Sequence, residues 1–127
     1  MSHILDTCVF LWLALSPDIL PARVRERIDT SERLFFSMAG VWEITFKNSA
    51  GKLPLPAIPR FWIPSRLAFF HIELFPMESE VVFISGELPQ IHRDPFDRLH
   101  AAESLYRSIP IISPDEPIGD LGAARFW

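Results

Sequence analysis

The sequence predicts an α/β fold: a three-layer sandwich with a central, mostly parallel sheet of four to five strands. Short apolar segments alternate along the chain with longer segments of helical spacing, which is typical of parallel sheets with right-handed crossovers. Prolines and small polar residues mark the boundaries between these segments. The 127 residues, 49% of them hydrophobic, are enough for one core, so we expect a single domain over residues 1–127.

The apolar segments 3–5, 34–36, 71–75 and 109–113 are predicted strands, with 125–127 as a candidate fifth. Helices are predicted after Asp6, from Pro21, and over 39–49, 59–70, 79–86 and 94–107. Asp94 and Pro95 form the clearest helix start, because aspartate is a preferred N-cap and proline suits the first turn.

Two groups of large side chains are predicted to fill the core. On the helix over 39–49, the spacing predicts a buried face that comprises Val41, Trp42, Thr45 and Phe46. On the helix over 59–70, the aromatic residues are predicted to be mostly core, with part of the cluster available to a partner; they are Phe61, Trp62, Phe69 and Phe70.

The charge and the composition exclude several classes of protein. A formal net charge of −4 and a pI near 5.5 do not fit a general nucleic-acid coat protein, so a nucleic-acid role requires a local site assisted by a cation. The single cysteine excludes a zinc cage built mainly of thiolates. The apolar run over 8–15 is shorter than the ~18 residues of a membrane span, and no basic n-region precedes it, so we expect a cytoplasmic protein.

Four carboxylates follow or precede the predicted strands at the same edge of the sheet: Asp6, Glu43, Asp97 and Asp115. Carboxylates this close together require a compensating cation, and Mg²⁺ or Mn²⁺ suits oxygen ligands and phosphate chemistry. Such ions activate water for phosphodiester hydrolysis.

Each of these acids also has an ordinary structural interpretation. Asp6 and Asp115 are able to cap turns, Glu43 is compatible with a surface position near a helix start, and Asp97 stabilises a helix N-terminus. The identity of the fourth acid stays open at this point, because three acids lie close together near the end of the chain: Asp115, Glu116 and Asp120.

Four segments in order resemble the PIN-domain ribonucleases, specifically the VapC-type toxins of type II toxin–antitoxin modules. They are Leu5-Asp6-Thr7 with Leu11-Trp12, Val41-Trp42-Glu43-Ile44 leading to Gly51-Lys52-Leu53, His92-Arg93-Asp94-Pro95-Phe96-Asp97-Arg98-Leu99, and Ser113-Pro114-Asp115-Glu116. The resemblance implies a PIN-like fold and metal-dependent RNA hydrolysis, with the family's acids on Asp6, Glu43, Asp97 and Asp115. It also implies inhibition by a cognate antitoxin, and homodimerisation.

Several neighbours of these acids are secondary candidates. Thr7 and Ser113 offer outer-shell hydroxyls, and Asp94 is a weaker candidate acid. Three cationic groups are candidates for contact with RNA phosphate: His92, Arg93 and Arg98. Arg98 is next to Asp97, so a structural ion pair is an equal alternative for it. The remaining predictions are structural, with Lys47 and Lys52 as solvated helix-end cations and Cys8 as a small buried hydrophobe.

Two other functions compete with the nuclease. A PIN-like module that has lost catalysis would bind protein or RNA, but all four acids are present, which favours the enzyme. A receiver-like or phosphatase domain requires a second acid next to its nucleophilic aspartate and a lysine after a late strand. Neither Leu5-Asp6-Thr7 nor Ser113-Pro114-Asp115 provides them.

Overall fold

A computed structural model describes residues 1–127 and contains a five-stranded, all-parallel sheet. The strand order is β3-β2-β1-β4-β5. The strands are β1 (His3–Leu5), β2 (Leu34–Ser37), β3 (Ile72–Phe75), β4 (Ile111–Ile112) and β5 (Arg125–Phe126). The predicted α/β sandwich is confirmed, and the candidate fifth strand is present.

Seven α-helices connect and cover the strands. They are α1 (Thr7–Leu15), α2 (Ala22–Thr30), α3 (Met38–Ser49), α4 (Pro59–Phe69), α5 (Ser79–Glu87), α6 (Pro95–Arg107) and α7 (Glu116–Asp120), with a 3₁₀ turn at Pro17–Ile19. The short α7 was not predicted. The N-cap of α5 is Glu78 and not Ser79, which is its first helical residue. None of the helices is long and apolar enough to span a membrane.

The two faces of the sheet bury separate clusters, which gives the three layers. Alternate strand residues point to opposite faces, so neighbouring positions enter different clusters. Leu5, Phe36 and Ile112 pack with side chains of α1, α2 and α4. Ile4, Phe35 and Ile111 pack with side chains of α5, α6 and α7.

Helix α3 buries a different face from the predicted one. Trp42 and Phe46 are 48% and 56% exposed, whereas Gly40, Glu43 and Ile44 point inward. The cause is the contact of Gly40 with Phe36, because a Cβ at position 40 would overlap the Phe36 ring. Once Gly40 faces the sheet, the residues three and four positions later must face it too.

The aromatic cluster of α4 is also less buried than predicted. Trp62 lies in the core, where its ring packs edge-on against Phe10. Phe61 and Phe69 are mostly exposed, at 67% and 64%. The prediction that this cluster is mostly core was therefore wrong for these two residues, since α4 turns only one side toward the sheet.

Candidate active site

The candidate site lies where β1 and β4 end side by side. The chain leaves β1 toward β2 and β3 on one side, and returns to β4 and β5 on the other side. In open parallel sheets, ligands bind at the carboxyl ends of the strands at such a reversal of strand order. Asp6 follows β1 there, and Ser113 and Asp115 follow β4.

Asp6 is the most buried of the four candidate acids, at 2% exposure. Its Oδ1 accepts a hydrogen bond from the Thr7 backbone N–H at 2.7 Å, so the carboxylate is the N-cap of α1. Its Oδ2 accepts from Ser113 Oγ at 2.5 Å and lies 3.6 Å from Cys8 Sγ. Asp6 is therefore both a structural helix cap and a member of the candidate site.

Asp115 is the terminal acid that approaches Asp6. One ligand atom each from Asp6, Cys8 and Asp115 lies within 4.8 Å of the others. The Asp115 backbone N–H donates to Ser113 Oγ at 3.0 Å, which ties the loop after β4 to Asp6. Burial and the negative charge of Asp6 raise the pKa of Asp115 to about 7.

The two other candidates for the fourth acid, Asp120 and Glu116, are not grouped with Asp6. Asp120 Oδ2 lies 3.0 Å from His92 Nε2, and both side chains are away from the cluster of Asp6, Cys8 and Asp115. Glu116 is exposed in the first turn of α7. Of the three, Asp115 is therefore the residue whose carboxylate approaches Asp6.

Glu43 reaches the site from the buried face of α3. Lys47 Nζ donates to its Oε2 at 2.6 Å, and His100 Nε2 lies 3.7 Å from its Oε1. Burial by itself raises the pKa of Glu43, but the polar contacts with His100, Lys47 and Thr7 outweigh burial and lower it to about 2. Lys47 is consequently an ion-pair partner of Glu43 and not only the solvated helix-end cation that was predicted.

Asp97 lies in the first turn of α6, where Asp94 is the N-cap. Asp94 Oδ1 accepts from the Phe96 backbone N–H at 2.9 Å, and Asp94 itself is exposed. Burial and the negative charges of Asp94, Asp6 and Glu43 raise the pKa of Asp97 to about 6. Asp97 thus belongs electrostatically to the group of Asp6 and Glu43, whereas the contact seen for Asp94 is a helix cap.

Arg98 is not placed for contact with RNA. Its side chain is buried, and the guanidinium donates four hydrogen bonds to backbone carbonyls at 2.8–2.9 Å. The acceptors are the carbonyls of Ser85, Leu88, Pro89 and His92. We therefore correct its assignment: Arg98 fastens the α5–α6 connection to α6. Arg93 is exposed and stays a candidate for contact with phosphate.

His100, which was not predicted as a site residue, is fully buried next to the acids. Its Nε2 lies 2.8 Å from Thr7 Oγ1 and 3.7 Å from Asp6 Oδ1. Burial lowers the pKa of His100, but the hydrogen bond with Glu43 and the charge of Asp6 outweigh this, and the net shift is upward. Its position three residues after Asp97 on one helix was the available signal, since residues i and i+3 share a face.

The donor set fits a hard divalent cation better than a soft one. It consists mainly of carboxylates, and the pKa values of Asp97 and Asp115 are raised by burial and by the negative charges of the neighbouring acids. The Cys8 thiol is the exception, but burial and the charges of Asp6 and Asp115 raise its pKa above its ordinary range, so it remains protonated. A protonated thiol is a poor metal ligand.

The family model described as PIN domain matches residues 3–123. The chain belongs to the PIN domain family. The match extends from the start of β1 past the end of α7, and it includes all four candidate acids of this PIN domain. No curated protein matches the sequence.

Solved structures with the same fold include members of the VapBC family of toxin–antitoxin systems. VapBC2 from Rickettsia felis, bound to a promoter DNA fragment, aligns with a TM-score of 0.70 and 14% identity over 99% of this chain and 98% of that chain. DNA-bound VapBC from Salmonella typhimurium aligns with a TM-score of 0.69 and 16% identity over 98% and 96%. FitAcB from Neisseria gonorrhoeae aligns with a TM-score of 0.68 and 19% identity over 100% and 97%. At these identities the likeness establishes the fold alone.

Proposed function

We propose that this PIN domain is a Mg²⁺- or Mn²⁺-dependent endoribonuclease that hydrolyses RNA phosphodiester bonds. The observation that carries the proposal is the approach of the Asp6 and Asp115 carboxylates at the β1–β4 strand ends, with Glu43 and Asp97 in the same electrostatic group. PIN domains are generally nucleases, which supports hydrolysis as the reaction.

The roles of the chain's own residues follow from their contacts. Asp6 and Asp115 are the proposed direct ligands, with Glu43 and Asp97 completing the acidic set. Ser113 orients both Asp6 and Asp115, because its hydroxyl donates to one carboxylate and accepts from the backbone N–H of the other residue. When bound, Mg²⁺ or Mn²⁺ would lower the pKa of the attacking water and neutralise negative charge on the phosphodiester.

We further propose that the protein is the toxin of a toxin–antitoxin module, located in the cytoplasm. The likeness to VapBC and FitAcB complexes supports a cognate antitoxin as partner. Exposed apolar side chains, among them Phe61, Phe69 and Phe83, support coverage of part of the surface by the antitoxin or by a second copy in a homodimer.

The deciding experiment compares wild-type protein with Asp6→Asn on total RNA, with and without Mn²⁺. Asparagine keeps the oxygen that caps α1 but removes the negative charge. We therefore expect a folded variant whose cleavage rate is lower by at least about a hundredfold. Asp29→Asn, at an exposed position on α2, is the matched control and should cleave like wild type.

Cleavage by Asp6→Asn at the wild-type rate would refute the metal site. A folded wild-type protein that cleaves no RNA with either ion would instead favour the catalytically inactive PIN-like module, which binds protein or RNA.

A further inference from the structure

A buried histidine on α6 lies next to the acids of the candidate site. His100 lies one helical turn after Asp97 and is fully buried, so α6 presents an acid and an imidazole to the same interior. Histidine in such a position is either a core side chain that satisfies its own polar atoms or a group that serves its neighbours. The contacts of its two ring nitrogens distinguish these roles.

All of the polar contacts of the His100 ring are on the side of the acids. Nε2 lies 2.8 Å from Thr7 Oγ1, and 3.7 Å from both Asp6 Oδ1 and Glu43 Oε1. Nδ1 is buried and has no hydrogen-bond partner. The other fully buried histidine, His3, likewise leaves one ring nitrogen unpaired, so what distinguishes His100 is that its paired nitrogen is directed at the acids.

The neighbours of Nε2 also assign its proton. They are a hydroxyl oxygen and two carboxylate oxygens, all of which accept hydrogen bonds, so the proton is assigned to Nε2. When Nε2–H donates to Thr7 Oγ1, the Thr7 hydroxyl proton is free to be donated to the Glu43 carboxylate. A hydrogen bond from Thr7 is among the causes that lower the pKa of Glu43.

We propose that His100 is a positioning residue of the metal site. Its Nε2–H fixes the Thr7 hydroxyl next to the carboxylates of Asp6 and Glu43, which links α1, α3 and α6 at the end of β1. This inference rests on the proposed function, since it concerns the arrangement of the same acids for Mg²⁺ or Mn²⁺. His100 itself is not a ligand, because its one paired nitrogen is directed at Thr7.

A second buried histidine provides a matched control. His3 is also fully buried, and its Nε2 also has no hydrogen-bond partner, but its Nδ1 pairs with Ser31 Oγ at 2.8 Å, away from the acids. Replacement of either histidine perturbs the interior of the sheet region. Only replacement of His100 removes the donor that fixes the Thr7 hydroxyl next to the acids, so the difference between the two separates positioning from packing.

The experiment measures the affinity of the full-length chain for Mn²⁺ by calorimetry, together with the Mn²⁺ dependence of RNA cleavage and the thermal midpoint. For His100→Leu we expect Mn²⁺ affinity to fall by roughly 10–100-fold, the usual effect of losing a residue that orients a ligand. High Mn²⁺ should restore part of the cleavage rate. His3→Leu should lower the thermal midpoint and leave the Mn²⁺ affinity at the wild-type value.

Two polar variants decide the question even when leucine at position 100 prevents folding. The amide nitrogen of glutamine reaches the place of the imidazole Nε2, whereas that of asparagine reaches only the place of Nδ1. We therefore expect His100→Gln to bind Mn²⁺ within a few-fold of wild type, and His100→Asn to bind on the order of tenfold more weakly.

The inference about His100 would be overturned if His100→Gln and His100→Asn bound Mn²⁺ with equal affinity, or if a folded His100→Leu bound it like wild type. The proposed function would still hold in either case, provided that the wild-type protein cleaves RNA. Failure of the wild-type protein both to bind Mn²⁺ and to cleave RNA is a different result. It would overturn the proposed function and the role of His100 with it.

Discussion

Arg98 and Asp6 are both buried charged side chains, at 8% and 2% exposure, but their surroundings are opposite. The guanidinium of Arg98 is surrounded by four backbone carbonyls that accept its hydrogen bonds. Asp6 has hydrogen-bond donors as well, but its carboxylate also approaches that of Asp115. A buried charge that the chain itself satisfies is structural, whereas like charges gathered together indicate a ligand that is not part of the chain.

The electrostatics of the two regions differ in the same way. No carboxylate pairs with Arg98, because carbonyl dipoles satisfy it at the α5–α6 connection. At the acid site, burial first and then the negative charges of neighbouring acids, Asp6 and Glu43 among them, raise the pKa values of Asp97 and Asp115. Changes at Arg98 should therefore alter stability, and changes at the acids should alter metal binding.

The largest expected effect on stability is that of Arg98→Met. Methionine fills a similar length but leaves four carbonyls without their donor, so we expect the free energy of unfolding to fall by roughly 2–4 kcal/mol. Urea denaturation measures this change. The neighbouring exposed Arg93→Met is the control and should change stability by less than about 0.5 kcal/mol. Similar stabilities of the two variants would show that the carbonyl cluster is not structural.

The second expected effect is a pH dependence of the metal-free protein. The pKa values of Asp97 and Asp115 are about 6 and about 7, above the ordinary aspartate value near 3.8, so the folded state binds more protons in this range. The raised pKa of His100 acts in the same direction and the pKa of His3, lowered by burial, opposes it, so stability without metal should rise as the pH falls from about 7.5 to about 5. The pKa of Glu43 is lowered from 4.5 to about 2, so its ionised carboxylate stabilises the folded state above about pH 4.5. This contribution is lost only as the pH falls from about 4.5 toward about 2.

Urea midpoints in a chelator, measured across this pH range, test the prediction. The urea midpoint of the double variant Asp97→Asn, Asp115→Asn should change less with pH, because these two titrating carboxyl groups are absent. Mn²⁺ should stabilise the wild-type protein more at the upper end of the range, because protons compete with the ion. A wild-type midpoint that falls between about pH 7.5 and about pH 6 would contradict the assignment of uncompensated negative charge.

The smallest expected effect is that of Cys8→Ser. The thiol is half-buried and lies 3.6 Å from Asp6 Oδ2, with a pKa raised by burial first and by the charges of Asp6 and Asp115. Serine keeps a donor at this position, so Mn²⁺-dependent cleavage should stay within about threefold of wild type. A loss of tenfold or more would mean that the sulfur is a ligand and would extend the metal site beyond the carboxylates.

The order of elements was predictable because its signals are local. The alternation of short apolar and longer helical segments and the cap at Asp94 depend on neighbours within one or two turns. The placement of acids after β1 and β4 was predictable for the same reason, since the carboxyl ends of parallel strands meet at one edge of the sheet.

Other features were decided only when the elements packed together. Helix α3 is apolar on several sides, so its sequence did not select the buried face; the fit of Gly40 against Phe36 did. The approach of Asp115, and not Glu116 or Asp120, to Asp6 depends on the loop held by Ser113. The sequence by itself determined which side chains are available at the strand ends. The tertiary structure decided their partners, because burial and charge compensation depend on contacts between residues as far apart as Thr7 and His100.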